Sequence, residues 1–117
     1  MTGKARDYGI ICGIMQPGEQ NAITDVPGVR VGHRTLRDGD INTGVTAIIP
    51  HDGNLYRRKV LAACDVINGF GKSTGLVQIK ELGTLETPIL LTNTFGVGTC
   101  ANALIREAIA ANPDIGR

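Results

Sequence analysis

The clearest pattern of apolar and polar positions lies between residues 86 and 112, and it predicts a strand followed by a helix. The apolar run Ile89–Leu91 has the length and flanks of a strand that is covered on both faces. The helix is expected to end at Asn112-Pro113, because proline disfavours helical backbone in the residue before it. Beyond the strand, apolar side chains recur with helical spacing at Ala101, Leu104, Ile105, Ala108 and Ile109.

Two glycines, Gly96 and Gly98, separate the predicted strand from the predicted helix. Glycine has no Cβ, so each of them permits a positive φ or the close approach of a ligand to the backbone. The first turn of a helix also leaves N–H groups without partners, and these attract a negatively charged atom. The junction is therefore a place where an α/β protein would hold a binding or catalytic site.

The rest of the chain predicts an irregular arm followed by one partial domain. Residues 1–20 form the arm, and residues 21–117 form a β-rich segment with two strand-loop-helix units. Val29, Val31 and His33 lie at every second position, which is typical of a strand with one covered face. The remaining predicted elements are a hairpin loop at Arg34–Thr43, strands at Gly44–Pro50, Val60–Ile67 and Thr87–Thr94, and a helix at Thr74–Leu82 that Gly83 closes.

A four-residue pattern recurs along the chain. Asn68-Gly69-Phe70-Gly71 returns 25 residues later as Asn93-Thr94-Phe95-Gly96, and each copy follows an apolar run and precedes a predicted helix. If right-handed crossovers join the two units, their strands are parallel and both loops line one cleft at the carboxyl edge of one sheet. Asparagine and glycine are also ordinary turn residues, and each phenylalanine would then cap the core. Both interpretations stay open from the sequence.

Composition narrows the class of protein. The 117 residues, 42% hydrophobic and 20% charged, predict a soluble globular domain of modest size. The net charge is +1 and the only basic cluster is Arg57-Arg58-Lys59, which argues against a nucleic-acid partner. No segment is apolar enough to cross a membrane, and the short Ile10–Met15 run does not resemble a secretory signal. The scattered cysteines Cys12, Cys64 and Cys100 favour reduced thiols, so we expect a cytoplasmic protein.

Two glycine-containing motifs resemble cofactor sites in part. Gly96–Ala101 fits the G-x-G-x-x-A dinucleotide turn, but the chain stops before the second parallel strand and the acidic residue that this fingerprint needs. Gly71-Lys72-Ser73 resembles the end of a phosphate-binding loop, but Val66 occupies the position of its leading glycine. Helix packing and a solvated lysine are the preferred interpretations, and we expect no cofactor.

The sequence shows no recognisable catalytic or metal-binding constellation. Its histidines and cysteines include no close pair such as C-x2-C, so no metal is expected. Ser73 is the only serine, and it lacks the G-x-S-x-G elbow of a serine nucleophile. Helix capping is the stronger interpretation for Ser73. Cys100 lies near a helix start but among apolar neighbours, so a reactive thiol is not expected there.

Three longer segments carry a family resemblance: Asn21–His33, Asn68–Lys72 and Leu85–Thr94. In this order, within a resemblance that runs from about residue 6 to residue 117, they are similar to the amino-terminal part of the DmpA-type family. These are L-aminopeptidase/D-esterase-amidases and β-peptidyl aminopeptidases. The resemblance implies an α/β (α+β) fold that is part of an αββα sandwich, like that of N-terminal-nucleophile hydrolases but with its own connectivity.

The resemblance also implies a mechanism. Members of the family are made as a precursor that cleaves itself into an α and a β polypeptide, and the new amino-terminal serine of the β polypeptide is the nucleophile. A free α-amine, with a pKa of about 7.7–8.0, can act as the general base for its own hydroxyl. An acyl-enzyme forms and is hydrolysed, so that a peptide, amide or ester loses its N-terminal amino acid.

The chain departs from the family pattern because it contains nothing like the Gly/Asn-rich segment that holds the nucleophile. We therefore expect an α-side portion that is inactive alone and supplies no catalytic residue. Its expected partners are a companion β polypeptide with the nucleophilic serine, further αβ units of a homo-oligomer, and a peptide or amino-acid amide substrate.

Asn68, Asn93 and Thr94 follow predicted strands, so we expect them to face the substrate cleft. Two other functions stay open. One is a nucleotide- or anion-binding module that uses the Gly96–Gly98 turn, and the other is a non-catalytic fragment that assembles with partners through an uncovered sheet edge.

Overall fold

The structure, a computed structural model, describes residues 3–116, which leaves the first two residues of the predicted arm and the last residue of the predicted domain outside. The arm contains one short 3-10 helix, Ala5–Tyr8. The Lys4 ammonium donates a hydrogen bond to the carbonyl oxygen of Gln20, so the two ends of the arm lie close together. The Asp25 carboxylate then accepts a hydrogen bond from the Gln20 N–H at 3.0 Å, which fixes the end of the arm.

The two longest strands, β1 (Arg30–Asp38) and β2 (Ile41–Ile49), form an antiparallel hairpin. Gly39, at φ 55°, supplies the left-handed conformation that the tight turn requires. The predicted hairpin is confirmed, but the predicted loop Arg34–Thr43 is wrong, since most of it is strand. These residues are polar although most of them lie in strands. The reason is that β1 is an edge strand and is exposed along nearly its whole length.

Shorter elements follow the hairpin: β3 (Val60–Leu61), α1 (Leu76–Leu82), β4 (Thr84–Leu85), β5 (Ile89–Thr92), a 3-10 helix (Thr94–Gly96) and α2 (Val97–Ala111). Gly83, at φ 65°, ends α1 as predicted, and its N–H donates to the Ile79 carbonyl at 2.8 Å. The α2 helix also ends as predicted, directly before Asn112-Pro113. The third predicted strand is reduced to the two residues of β3.

Among residues 3–116 all strand pairs are antiparallel, and they belong to two sheets. β5 pairs with β2 to give the order β1-β2-β5, whereas β3 pairs with β4. The predicted parallel arrangement, with both Asn-x-Phe-Gly loops at one sheet edge, is therefore wrong. The reason is that α1 leads into β4, which pairs back on β3, so the described part of the chain makes no crossover between parallel neighbours.

Alternation along β5 gives its two faces different surroundings. Leu90 and Thr92 lie on one face and are half-buried, while Ile89 and Leu91 lie on the other and are 38% and 55% exposed. The expectation that this strand is covered on both faces is therefore wrong within residues 3–116. The chain supplies α2 as a packing partner of β5, but one face of the sheet stays open.

The described chain has little core of its own. Among residues 3–116, Leu55 is the only buried apolar side chain. The accessible surface is 9544 Å², whereas a compact monomer of this mass exposes about 6,100 Å². The radius of gyration is 16.5 Å, against about 13 Å for a compact domain of this length. None of the described helices is both long and apolar enough to cross a membrane.

Candidate functional site

Asn93 links the end of β5 to β2 and to the start of the next helix. Its side-chain Oδ1 accepts a hydrogen bond from the Gly96 N–H at 2.8 Å, and its Nδ2 donates to the Thr43 hydroxyl at 2.7 Å. A carboxamide has one further lone pair and one further N–H, so Asn93 retains capacity for a ligand. Thr94 follows directly, begins the 3-10 helix and is exposed.

Asn68 lies on a separate segment, between β3 and α1. Its Oδ1 accepts a hydrogen bond from the Phe70 N–H at 3.3 Å, in the manner of an Asx turn. Within residues 3–116 no hydrogen bond joins Asn68 to Asn93 or Thr94, and the strands before the two loops belong to different sheets. The structure thus brings Asn93 and Thr94 together with Thr43, and it gives Asn68 no shared sheet edge with them.

Both phenylalanines of the repeated pattern point away from the body of the chain. Phe70 is 91% exposed and Phe95 is 98% exposed. The interpretation in which each phenylalanine caps the core is therefore wrong for the described residues. The asparagines do act as turn residues, but the turns they hold present the aromatic rings to the outside.

Neither glycine of the Gly96–Gly98 junction has a positive φ, and the packing interpretation fits Gly96. Gly96 has φ −77°, and a Cβ there would lie 2.5 Å from the Thr92 hydroxyl oxygen, so close packing requires glycine. Gly98 lies within α2, and a Cβ there would meet no atom within 4 Å. Because residues 94–111 are helical and β5 is antiparallel, this junction is not the open glycine loop after a parallel strand that the nucleotide-binding alternative needs.

A shallow depression of about 490 Å³ lies on the three-stranded sheet. His33 and Thr46 line it, with His33 Nδ1 and the Thr46 hydroxyl 2.9 Å apart, and Leu91 of β5 lies beside Thr46 in the same depression. Gly44 also lines it, and a Cβ there would lie 2.4 Å from the Arg34 carbonyl oxygen. This surface was not predicted from the sequence, because the lining residues within Arg34–Thr43 were expected to form a loop. The Gly39 turn signal within that stretch is the feature that locates the hairpin.

An apolar groove of about 520 Å³ runs between α1, β4, β5 and α2. Leu85, Leu104 and Ile105 are among its lining residues, and Glu86 lies at its polar end. Hydrogen bonds from Gln78 and from Lys59, whose ammonium is 3.0 Å from the carboxylate, hold the pKa of Glu86 below its ordinary value. Within residues 3–116 no three His, Cys, Asp or Glu side chains gather as metal ligands would.

A profile of peptidase family S58 matches residues 21–117. Two β-peptidyl aminopeptidases are 38% identical to this chain: one from Sphingosinicella microcystinivorans over 112 residues, and one from Sphingosinicella xenopeptidilytica over 120 residues. The matches cover 87% and 95% of this chain but only 28% and 29% of those relatives. The chain belongs to peptidase family S58, which confirms the DmpA-type resemblance.

Two solved structures show the same fold. The PH0078 protein of Pyrococcus horikoshii OT3 is 50% identical, with a TM-score of 0.88 over 97% of this chain. A β-aminopeptidase of a Burkholderia species is 47% identical, with a TM-score of 0.81 over 94% of this chain. The chain spans only 35% and 32% of those two proteins, which is about a third of each.

Proposed function

We propose that this chain is the amino-terminal, α-side portion of a self-processing aminopeptidase. The enzyme would remove N-terminal amino acids from peptides, amides or esters through an acyl-enzyme on an N-terminal serine outside this chain. The observation that carries the proposal is the 47% identity and TM-score of 0.81 to a protein described as a β-aminopeptidase. The names of the two Sphingosinicella relatives support the same substrate class.

The absence of a serine-base pair in the described residues supports a nucleophile from elsewhere. Ser73 is the only serine, and it is exposed in the segment before α1. Within residues 3–116 it forms no hydrogen bond with a histidine or a carboxylate. An amino-terminal serine needs no such neighbour, because its own α-amine serves as the base.

In this proposal the chain supplies scaffold and cleft-side polar groups, and no catalytic residue. The three-stranded sheet has one open face, which fits the inner face of one half of an αββα sandwich. Asn93 and Thr94 would lie at the cleft beside Thr43, and Asn68 would reach the cleft from the other loop. The expected partners are the companion β polypeptide, further αβ units and the peptide or amino-acid amide substrate.

Intact mass spectrometry of the protein purified from its native source tests self-processing. We expect this chain to occur with a second polypeptide that begins with Ser, Thr or Cys, and the sample to hydrolyse amino-acid p-nitroanilides. A sample that contains this chain alone and hydrolyses none of them would contradict the proposal and favour a non-catalytic assembly fragment.

A hybrid polypeptide tests the role of the chain itself. In this hybrid, residues 1–117 replace the matching 32% of the Burkholderia β-aminopeptidase. We expect the hybrid to cleave itself and to hydrolyse the substrates of its parent. A folded hybrid that does neither, beside an active parent, would contradict the proposal.

A further inference from the structure

The only two phenylalanines of the chain are almost fully exposed. Phe70 is 91% and Phe95 is 98% accessible, although aromatic side chains are among those that gain most from burial. Each is the third residue of one copy of the Asn-x-Phe-Gly pattern, and each lies on the outside of an ordered turn. Two aromatic rings in equivalent positions indicate a surface that another structure covers.

The turns that carry the rings are built by side chains. Asn68 accepts a hydrogen bond from the N–H of Phe70 itself, at 3.3 Å. Asn93 accepts one from the Gly96 N–H at 2.8 Å, so that Phe95 lies between the two bonded residues. Aromatic side chains on preorganised turns are typical anchors of interfaces, because little backbone entropy is lost when they dock.

The large accessible surface of the chain indicates that another structure covers it permanently and over a large area. The chain exposes 9544 Å², about 3,400 Å² more than a compact monomer of its mass. Interfaces of that size are typical of obligate contacts. A small substrate covers far less area and leaves after each turnover.

The two solved relatives indicate what covers this surface. The two solved relatives carry this segment as 35% and 32% of a single protein chain, so the other two thirds are available within the same molecule. An intramolecular partner is present at high effective concentration, which favours it over a second copy of the segment.

We propose that Phe70 and Phe95 are two aromatic anchors by which this segment packs against apolar pockets in the remaining two thirds of an S58 polypeptide. Asn68 and Asn93 are then positioning residues, since they hold the turns that present the rings. The assignment rests on membership of the family and not on the proposed chemistry.

Hydroxyl-radical footprinting of the unmutated hybrid tests the proposal without a variant that has to fold. We expect Phe70 and Phe95 to be oxidised at least about tenfold more slowly in the folded hybrid than in the same hybrid unfolded in urea. Equal rates within about twofold would overturn the proposal. Protection that appears only at high protein concentration would assign the rings to a second copy, and protection only with a bound substrate analogue would assign them to the cleft; either result overturns it.

Substitutions test how much the two aromatic rings contribute to stability. Phe95→Ala and Phe70→Ala in the hybrid should each lower Tm by about 5–10 °C, as expected for loss of a buried aromatic ring from a protein of this size. Phe95→Leu keeps apolar volume and should recover about half of the loss. A Tm within 1 °C of the hybrid for both alanine variants would overturn the proposal, whatever their hydrolytic activity.

Discussion

The side chains of Asn112 and Arg57 are joined by an Nε–H···Oδ1 hydrogen bond of 3.0 Å, which ties the end of α2 to the segment before β3. The same oxygen of Asn112 accepts a second bond from Asn54 at 2.8 Å, and its Nδ2 donates to the Ala108 carbonyl at 3.0 Å. Asn112 is only 2% exposed. Three bonds from one buried amide make it a structural centre of this chain.

We expect Asn112→Ala in the hybrid to lower the free energy of unfolding by about 2 kcal/mol, because the part-buried donors Asn54 Nδ2 and Arg57 Nε lose the amide oxygen that accepts from both. Urea denaturation measures this cost. Asn42→Ala is the matched control, since Asn42 is exposed in β2, and it should change stability by less than about 0.5 kcal/mol. Equal effects of the two substitutions would contradict a structural role for Asn112.

Gly44 and Gly32 allow a matched test of the close approach within the hairpin. A Cβ on Gly44 would lie 2.4 Å from the Arg34 carbonyl oxygen, whereas a Cβ on Gly32 would meet no atom within 4 Å. Gly44→Ala should therefore destabilise the hybrid by about 2–3 kcal/mol through strand displacement. Gly32→Ala should cost less than about 0.5 kcal/mol in the same thermal or urea unfolding experiment.

Gly96→Ala and Gly98→Ala form a second matched pair, and we expect them to change stability in opposite directions. Gly96→Ala brings a methyl group to within 2.5 Å of the Thr92 hydroxyl and should destabilise. Gly98→Ala should stabilise by about 0.5–1 kcal/mol, because the position is helical and open. Thr92→Ala should recover part of the Gly96→Ala loss. A Gly96→Ala loss that stays the same in the Thr92→Ala background would show that another contact is responsible.

Elements that depend on neighbouring residues occur as predicted, whereas strand pairing depends on residues far apart in the chain. The helix stripe from Ala101 to Ile109 and the Gly83 cap are local signals, and both elements occur as predicted. The partner of β5 is non-local: nothing within Ile89–Thr92 shows that it pairs antiparallel with β2. The parallel model failed for this reason. Family motifs identified the protein's class where the periodicity could not.

The Glu86 carboxylate predicts a pH dependence of stability. Gln78 and Lys59 hold the pKa of Glu86 below the ordinary value of about 4.3. The ionised Glu86 carboxylate therefore stabilises the fold fully at a pH above its ordinary pKa. This stabilisation is lost as the pH falls through the lower pKa of Glu86 in the folded protein. Urea unfolding between pH 6 and pH 2.5 measures how much free energy of unfolding the protein loses on acidification. We expect this loss to be smaller in the Glu86→Gln and Lys59→Met variants than in the unmutated protein. Identical profiles for all three proteins would contradict this contribution.

Asn93 tests whether the end of β5 serves the reaction or only the fold. We expect Asn93→Ala in the hybrid to impair self-cleavage or turnover more than it lowers stability, for which loss of a helix cap predicts about 1 kcal/mol. Thr43→Val is the control, because it removes the 2.7 Å bond from Asn93 Nδ2 but keeps the amide. Should Thr43→Val match Asn93→Ala in both stability and rate, the role of Asn93 is structural. A selective loss of rate in Asn93→Ala indicates that the amide shapes the cleft in addition to holding the turn after β5.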